Sequence, residues 1–277
     1  MADRLLVYQA LWAMDKLSSP ECPTAEKFDR VRAAGFDGMA IDLGALSMAE
    51  AEATIPHFER TGLAGGLTAF PQSVQDLRPA LALARRIKAP FVVVIGQEMP
   101  LRVAEMIPLI EGWLRVAADE GMPIQFETHR NCITNDLYTT VQLLDAVPAM
   151  RMAADLSHYV VDREMPCPPT PALQALITRV LERSDSFQGR IAARGQIQVA
   201  LDFPQNAKWV TLFKQWWRQG FAACKARRRD ADVVFLCELG PPDYAITGAD
   251  GRELSDRWAE ALTLARWARQ IWADLPD

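Results

Sequence analysis

Four stretches of this 277-residue chain end an apolar run on a residue type that can do chemistry. Phe126-Glu127-Thr128-His129 closes the run Pro123-Ile124-Gln125-Phe126 with a carboxylate and an imidazole two residues apart. Side chains alternate along a strand, so Glu127 and His129 are expected on one face. Met152-Ala153-Ala154-Asp155-Leu156-Ser157-His158 offers Asp155 and His158. Ser186-Phe187-Gln188-Gly189-Arg190 offers Gln188 and Arg190, and Val233-Val234-Phe235-Leu236-Cys237-Glu238 offers Glu238. Three carboxylates and one amide oxygen form an all-oxygen shell, which hard divalent cations such as Mg²⁺ or Mn²⁺ prefer and which leaves positions open for substrate. Such a cation also keeps neighbouring buried carboxylates ionised.

Each of these residues taken singly reads equally well as a hydrogen-bonded polar group of a core. The four in phase favour a site. His158, three residues beyond Asp155, reads as a group that hydrogen-bonds substrate, whereas His129 is open between that role and a structural one. Arg190 shares a strand face with Gln188. It suits a substrate oxygen or carboxylate, with an ion pair to a neighbouring acid as the alternative. His57 falls in a surface-type helix and is given no role. No lysine lies on the last four expected strands, which favours metal polarisation over Schiff-base chemistry.

The elements that must position these residues alternate along the whole chain. Strands are expected at Leu5–Trp12, Phe36–Leu43, Leu63–Phe70 and Phe91–Gly96, then at the four stretches above. Helices are expected at Thr24–Ala34, Ser47–Arg60, from Ser73 to Ile87, Leu101–Glu120, Asn135–Ala146, Pro171–Ser184, Asn206–Arg228 and Arg252–Ala273. Thr24 and Ser73 are natural N-caps, and Gly35, Gly62 and Gly121 are natural stops. Gly65 and Gly66 are expected to leave room inside a narrow barrel. Leu254, Trp258, Leu262 and Ala265 are spaced as the apolar face of the last helix. Eight strand–helix units with short connections imply parallel strands and right-handed crossovers. The expected fold is a single (β/α)8 TIM barrel over residues 1–277. One ligand-type residue per strand end on four successive strands is the geometry of a site at one mouth of such a barrel. The loop Gln196–Gln205 is long enough to cover a ligand. Trp12 and Gln9 on strand one, and Phe70 after strand three, are candidates to line the site. Trp209, Trp216, Trp217, Trp258, Trp267 and Trp272 lie in helical stretches and read as core or homo-oligomer contacts.

Composition bounds the function. Half the residues are hydrophobic, 23% are charged and the formal net charge is -5. An acidic balance argues against a nucleic-acid surface. The one basic cluster, Lys225 to Arg229, is expected to be the solvated end of a helix. Five cysteines without CxxC spacing suggest reduced thiols and a cytoplasmic location. The apolar run after Met1-Ala2-Asp3-Arg4 is too short for a signal peptide, and no stretch reaches the ~18 apolar residues of a membrane helix.

The order Glu, Asp, then His or Gln, then Glu across four strand ends resembles the metal signature of the xylose-isomerase-like TIM barrels, the sugar isomerase and epimerase group, over essentially the whole chain. Asp155-Leu156-Ser157-His158 is similar to their Asp-x-x-His element. Ser186-Phe187-Gln188-Gly189-Arg190, followed by Gln198-Val199, resembles a segment with the ligand two residues before an arginine. Most relatives have histidine where this chain has Gln188; hydroxypyruvate isomerase-like members have glutamine. The resemblance implies one divalent ion on Glu127, Asp155, Gln188 and Glu238, with Mn²⁺ or Mg²⁺ preferred and Co²⁺, Fe²⁺ or Zn²⁺ as alternatives. It implies that Glu127 and Glu238 also transfer the proton, and that the substrate is a small carbohydrate-like carbonyl compound contacted by His158, Arg190, His129 and Trp12. The implied activity is isomerisation or epimerisation. The alternatives are a metal-dependent lyase or dehydratase on a keto-sugar derivative, or a non-catalytic sugar-binding relative.

Overall fold

The computed structural model describes residues 4–17, 21–228 and 231–276. Its eight strands are β1 (Leu5–Ala10), β2 (Gly38–Asp42), β3 (Ala64–Ala69), β4 (Val92–Val94), β5 (Ile124–Glu127), β6 (Met152–Ala154), β7 (Ser184–Gly189) and β8 (Val233–Cys237). They pair in sequence order, every pair is parallel, and β8 closes on β1. The helices are α1 (Thr24–Ala33), α2 (Met48–Glu52), α3 (Ile55–Thr61), α4 (Leu77–Arg86), α5 (Val103–Asp119), α6 (Leu137–Ala146), α7 (Leu156–Asp162), α8 (Pro171–Glu182), α9 (Ala207–Arg227) and α10 (Arg257–Ala273). The expected (β/α)8 TIM barrel is the fold of this chain.

Alternation along the strands sorts the side chains into two apolar sets. Val7, Met39, Val92, Phe126, Phe187 and Phe235 belong to the large cluster shared with the helices. Burying each such side chain contributes about 1.5–3 kcal/mol. Tyr8, Ala10, Ala40, Val234 and Leu236 form a separate inner cluster with Leu6, Ala64 and Phe91 against it. By the same alternation, the residues one step further along the inner face are Asp42, Thr68, Glu127, Gln188 and Glu238. The sequence therefore stacks small and apolar residues low in the barrel and polar ones at its C-terminal mouth.

Several boundaries differ from expectation for local reasons. Ser47 does cap a helix through a full capping box with Glu50, but the segment to Arg60 is two helices. Pro56 near the start of α3 lacks an N–H and breaks the continuity. Thr24 makes no cap; Pro23 stands at that position. Asp76, not Ser73, precedes α4, although Ser73 Oγ accepts from the Asp76 N–H at 3.4 Å. Gly65 faces outward: a Cβ there would meet Ile87 O at 2.4 Å, whereas one on Gly66 would meet Ala40 and Tyr8 inside. Only Gly66 makes room within the barrel.

The last helix is the largest difference. It begins at Arg257, capped by Asp256, whose carboxylate accepts from the Ala259 N–H at 3.0 Å. Leu254 therefore lies outside it and is 52% exposed, and Leu262 is exposed too. The buried face carries Ala265 as expected, together with Arg257, Glu260, Ala261 and Leu264, and Trp258 packs against the core. Arg257 donates to the carbonyls of Ala13 and Asp15 and pairs with Glu253, which fixes this helix to the turn after β1.

The basic cluster is not simply solvated. Arg227 is half-buried and donates to Glu182 O, Ser184 O and Asp185, and Arg228 also pairs with Asp185. Arg229 and the Met1–Asp3 leader reading lie outside the described residues. All five cysteines are unpaired. No helix among the described residues is long and apolar enough to cross a membrane.

Candidate functional site

Glu127 ends β5, Asp155 follows β6, Gln188 lies at the end of β7 and Glu238 follows β8. The structure brings all four to the C-terminal mouth, and all four are buried. One carboxylate oxygen each from Glu127, Asp155 and Glu238 lie within 4.8 Å of one another.

Local structure aims each side chain. All three residues of β6 pair with β7, across a register shift between Met152 and Ala153, and Asp155 follows directly as the N-cap of α7. Its Oδ1 accepts from the Ser157 N–H at 3.0 Å, which leaves Oδ2 without a hydrogen bond. Thr128 Oγ1 donates to Asp155 O at 2.7 Å and ties the ends of β5 and β6 together. Gln188 Oε1 is buried with no partner. Glu238 Oε2 is likewise unpartnered.

Arg190 is the counter-charge. Its Nη2 lies 3.1 Å from Glu238 Oε1 and its Nε 3.5 Å from Asp155 Oδ2, while Nη1 is buried without a partner. One guanidinium does not neutralise three acids. Burial therefore raises Glu127 well above the usual carboxylate range, with Glu238 and Asp155 adding repulsion. Glu238 is pushed up to about 8 by burial, despite the opposing Arg190. Three unpartnered oxygens, on Asp155, Gln188 and Glu238, beside three crowded acids form a donor set that fits a hard divalent cation.

The two histidine rings meet at 4.1 Å between centroids, tilted by 45°. Burial lowers both, His129 to about 4 and His158 well below its ordinary value, so both rings are neutral at pH 7. His158 Nδ1 accepts from the Arg130 N–H at 3.3 Å, which assigns its proton to Nε2, facing Asp155 Oδ2 at 3.5 Å. His129 Nδ1 lies 2.5 Å from Arg130 O and is the donor there, which leaves Nε2 as an acceptor. With Glu127 they form a second cluster of potential ligands within 4.8 Å. Each ring has one nitrogen committed to the Arg130 backbone, whereas the carboxylate set has free oxygens. Geometry therefore favours the carboxylates as the primary shell.

Trp12 reaches the mouth and Gln9 does not. Gln9 sits opposite Cys237, whose thiol donates to Ala261 O in α10, so both face the helices. Trp12 meets Tyr244 edge-on at 5.4 Å, Arg190 lies under both rings, and Phe70 meets His129 edge-on at 6.5 Å. The segment 196–205 is anchored, with Gln198 exchanging hydrogen bonds with Gly240 and Leu201 N–H donating to Glu260.

Sequence reasoning missed three residues here. Asp42 ends β2 on the inner face, just as Glu127 ends β5, and that ending was the available signal. Its Oδ1 accepts from the Gly44 N–H at 2.6 Å, and burial pushes its carboxyl up to about 6. Tyr244 and Arg130 lie on loops. Tyr244 has the Arg130 and Arg190 guanidinium groups at 5.2 and 4.9 Å from its ring, a contact with no sequence signature.

No protein-family model matches the sequence, and no curated protein does. Solved structures do. A D-allulose 3-epimerase from Methylomonas sp. aligns with TM-score 0.60 and 16% identity over 98% of this chain and 100% of that one, and it is also solved in complex with D-allulose. A xylose isomerase-like TIM barrel protein from Mycobacterium smegmatis, in complex with magnesium, gives 0.61 and 14% over 96% and 97%. A probable 3-DHS dehydratase involved in petrobactin synthesis from Bacillus anthracis gives 0.55 and 12% over 99% and 100%. At these identities the likeness is one of fold. The chain has the fold of the xylose isomerase-like TIM barrels, as the resemblance of its motifs implied.

Proposed function

We propose that this protein is a divalent-metal-dependent isomerase or epimerase of a small polyhydroxy carbonyl compound. The observation that carries the reading is the convergence of Glu127, Asp155 and Glu238 beside an unpartnered Gln188 oxygen at the C-terminal mouth. Glu127, Asp155, Gln188 and Glu238 would hold the ion, Mn²⁺ or Mg²⁺ before softer metals; when bound it supplies Lewis-acid polarisation of adjacent carbonyl and hydroxyl oxygens.

The chain's own residues account for the proton. Glu127 and Glu238 stand on strands separated by β6 and β7, so a substrate between them offers each a different face. One carboxylate removes the proton from the carbon beside the carbonyl, and the other delivers a proton to the opposite face, which inverts that centre. Transfer by one carboxylate on a single face instead gives aldose–ketose isomerisation. Arg190 fixes Glu238 and Asp155, and its free Nη1 donates to a developing oxyanion. His158 Nε2–H and His129 Nε2 are a donor and an acceptor for substrate hydroxyls. Trp12, Phe70 and Tyr244 form the wall that excludes water and packs on the apolar face of the sugar.

Two measurements test this. Protein purified without chelator should carry about one equivalent of a divalent ion, lost in Glu238→Gln. With a panel of ketoses, ketosugar derivatives and hydroxy-keto acids, solvent deuterium should enter the carbon beside the carbonyl. Elimination of a β-substituent from the same enediolate would show as loss of water and make the protein a lyase. An empty site and no exchange with any substrate would overturn the reading in favour of a non-catalytic sugar-binding protein.

A further inference from the structure

We propose that the opposite, N-terminal mouth of the barrel is a second binding site, for a small amphipathic anion with an apolar body and one carboxylate or phosphate head. A cavity of about 470 Å³ opens there. That is within the range of small-molecule sites. Its walls are Leu6, Ala64, Phe91, Ile124 and Val234. At this end β3 contributes only Ala64 to the cavity wall, where bulky branched residues usually fill a barrel of this kind. Above the cavity, a void of about 20 Å³ separates it from Gln188. That void holds about one water, so the two mouths are separate chambers.

Two polar groups inside the cavity are uncommitted. The Tyr8 hydroxyl is buried and has no hydrogen-bond partner, a costly state for an O–H that could donate. The charges that act on it are Asp37, Asp232 and Arg4, all at this end of the barrel. Gln125 accepts from Ser186 Oγ through Oε1 at 2.5 Å, which leaves its amide NH2 for the cavity.

The rim selects the charge. The acids that line it are already paired: Asp185 with Arg227 and Arg228, and Asp232 with Arg4. Lys88 and Arg151 also line it, and neither has an ion-pair partner among the described residues. Lys88 has a further peculiarity. It follows α4 with φ 57, the left-handed conformation that the chain gives to Gly35, Gly62 and Gly121 after three other helices. A lysine there costs backbone strain that glycine avoids, and what it adds is a cation at the mouth. An anionic head between Lys88 and Arg151, with its body against Phe91 and Val234 and an acceptor on Tyr8 O–H, meets both free cations and the unpartnered hydroxyl.

The test uses full-length protein and titration calorimetry with hexanoate and hexyl phosphate, against hexylamine, 1-hexanol and inorganic phosphate. Both hexyl anions should bind saturably, and the tighter of the two identifies the head group. Lys88→Gly should weaken binding about tenfold while folding at least as stably, because it relieves the left-handed strain. Arg151→Gln should weaken it similarly, and Tyr8→Phe less. Glu238→Gln should leave it unchanged, which keeps the result independent of the metal site. The proposal is overturned if neither hexyl anion binds at millimolar concentration, or if inorganic phosphate or 1-hexanol binds as tightly. Binding unaltered in Lys88→Gly and Arg151→Gln, or lost in Glu238→Gln, overturns it as well.

Discussion

The two halves of the barrel are built alike and loaded differently. Strands β5 to β8 each close on a buried carboxylate or amide: Glu127, Asp155, Gln188 and Glu238. Strands β1 to β4 end on Ala10, Asp42, Ala69 and Val94, and the groups they bring to the mouth are mostly walls, Trp12 and Phe70 among them. The same alternation and the same parallel pairing serve both halves. The difference lies in one residue per strand end, and it makes the second half electrostatically expensive. Three buried acids sit together there with Arg190, and burial holds Glu127 and Glu238 well above the usual carboxylate range. The first half contributes confinement, which in a barrel is what makes such electrostatics strong.

The largest expected effect breaks the loaded half directly. On the proposed function, Glu127→Gln and Glu238→Gln should each lower turnover by at least about 10²–10⁴-fold, the range of general acid–base help, because the proposed metal contact would go as well. Solvent deuterium exchange at the substrate carbon reads the two variants separately. Gln188→His should retain metal and much of the activity. Equal exchange rates in the parent and in both glutamate variants would end the acid–base assignment.

Removing the counter-charge comes next. Arg190→Met leaves buried acids without their cation, a loss of about 3–5 kcal/mol. Chemical denaturation should show that deficit in EDTA and a smaller one with Mn²⁺. A variant as stable as its parent without metal would mean that Arg190 is not what holds the acids together.

In the other half the expected damage is steric. A Cβ on Gly66 would lie 3.0 Å from Ala40 Cβ and 3.3 Å from Tyr8 Cδ2. Gly66→Val should therefore cost about 1–3 kcal/mol by overpacking, read as a lower urea midpoint at constant m. If the midpoint is unchanged, the first half is looser than its packing implies.

These contrasts also explain what could be read from the chain. The barrel was legible because eight apolar runs alternate with amphipathic ones, a periodicity that tertiary contacts do not erase. Three of the four ligand candidates were legible because a carboxylate closing an apolar run has few other reasons to be there, and Gln188 because it falls in phase with them. Asp42 closes such a run too, but in a stretch where Gly38 and Ala40 gave no contrast of size or charge. Arg257 was hidden differently. Its burial depends on carbonyls of Ala13 and Asp15, more than 240 positions away, and no local pattern encodes that. The stripe held at Trp258 and Ala265 and failed at Leu254 and Leu262, because the Asp256 cap sets the start of α10, and with it the buried face.

Asp42 allows the finest test, since it is an acid that ends a strand of the first half. Burial pushes its carboxyl from 3.8 to about 6, against the pull of the Gly44 and Ala45 N–H groups and of Arg190. The folded protein thus keeps a proton that the unfolded chain releases between about pH 4 and pH 6. Stability from this group is fully present below pH 4 and is lost as pH rises through 6. Asp42→Asn keeps an oxygen for the Gly44 N–H and cannot titrate. Parent stability relative to Asp42→Asn should therefore fall across that window, by about 2 kcal/mol at most once solvent screening is allowed for. Denaturation midpoints at pH 4, 5, 6 and 7 measure it. Two parallel curves would mean that Asp42 is solvated and that the first half is wall alone; curves that converge or cross as pH rises would extend the acidic field of the site to β2.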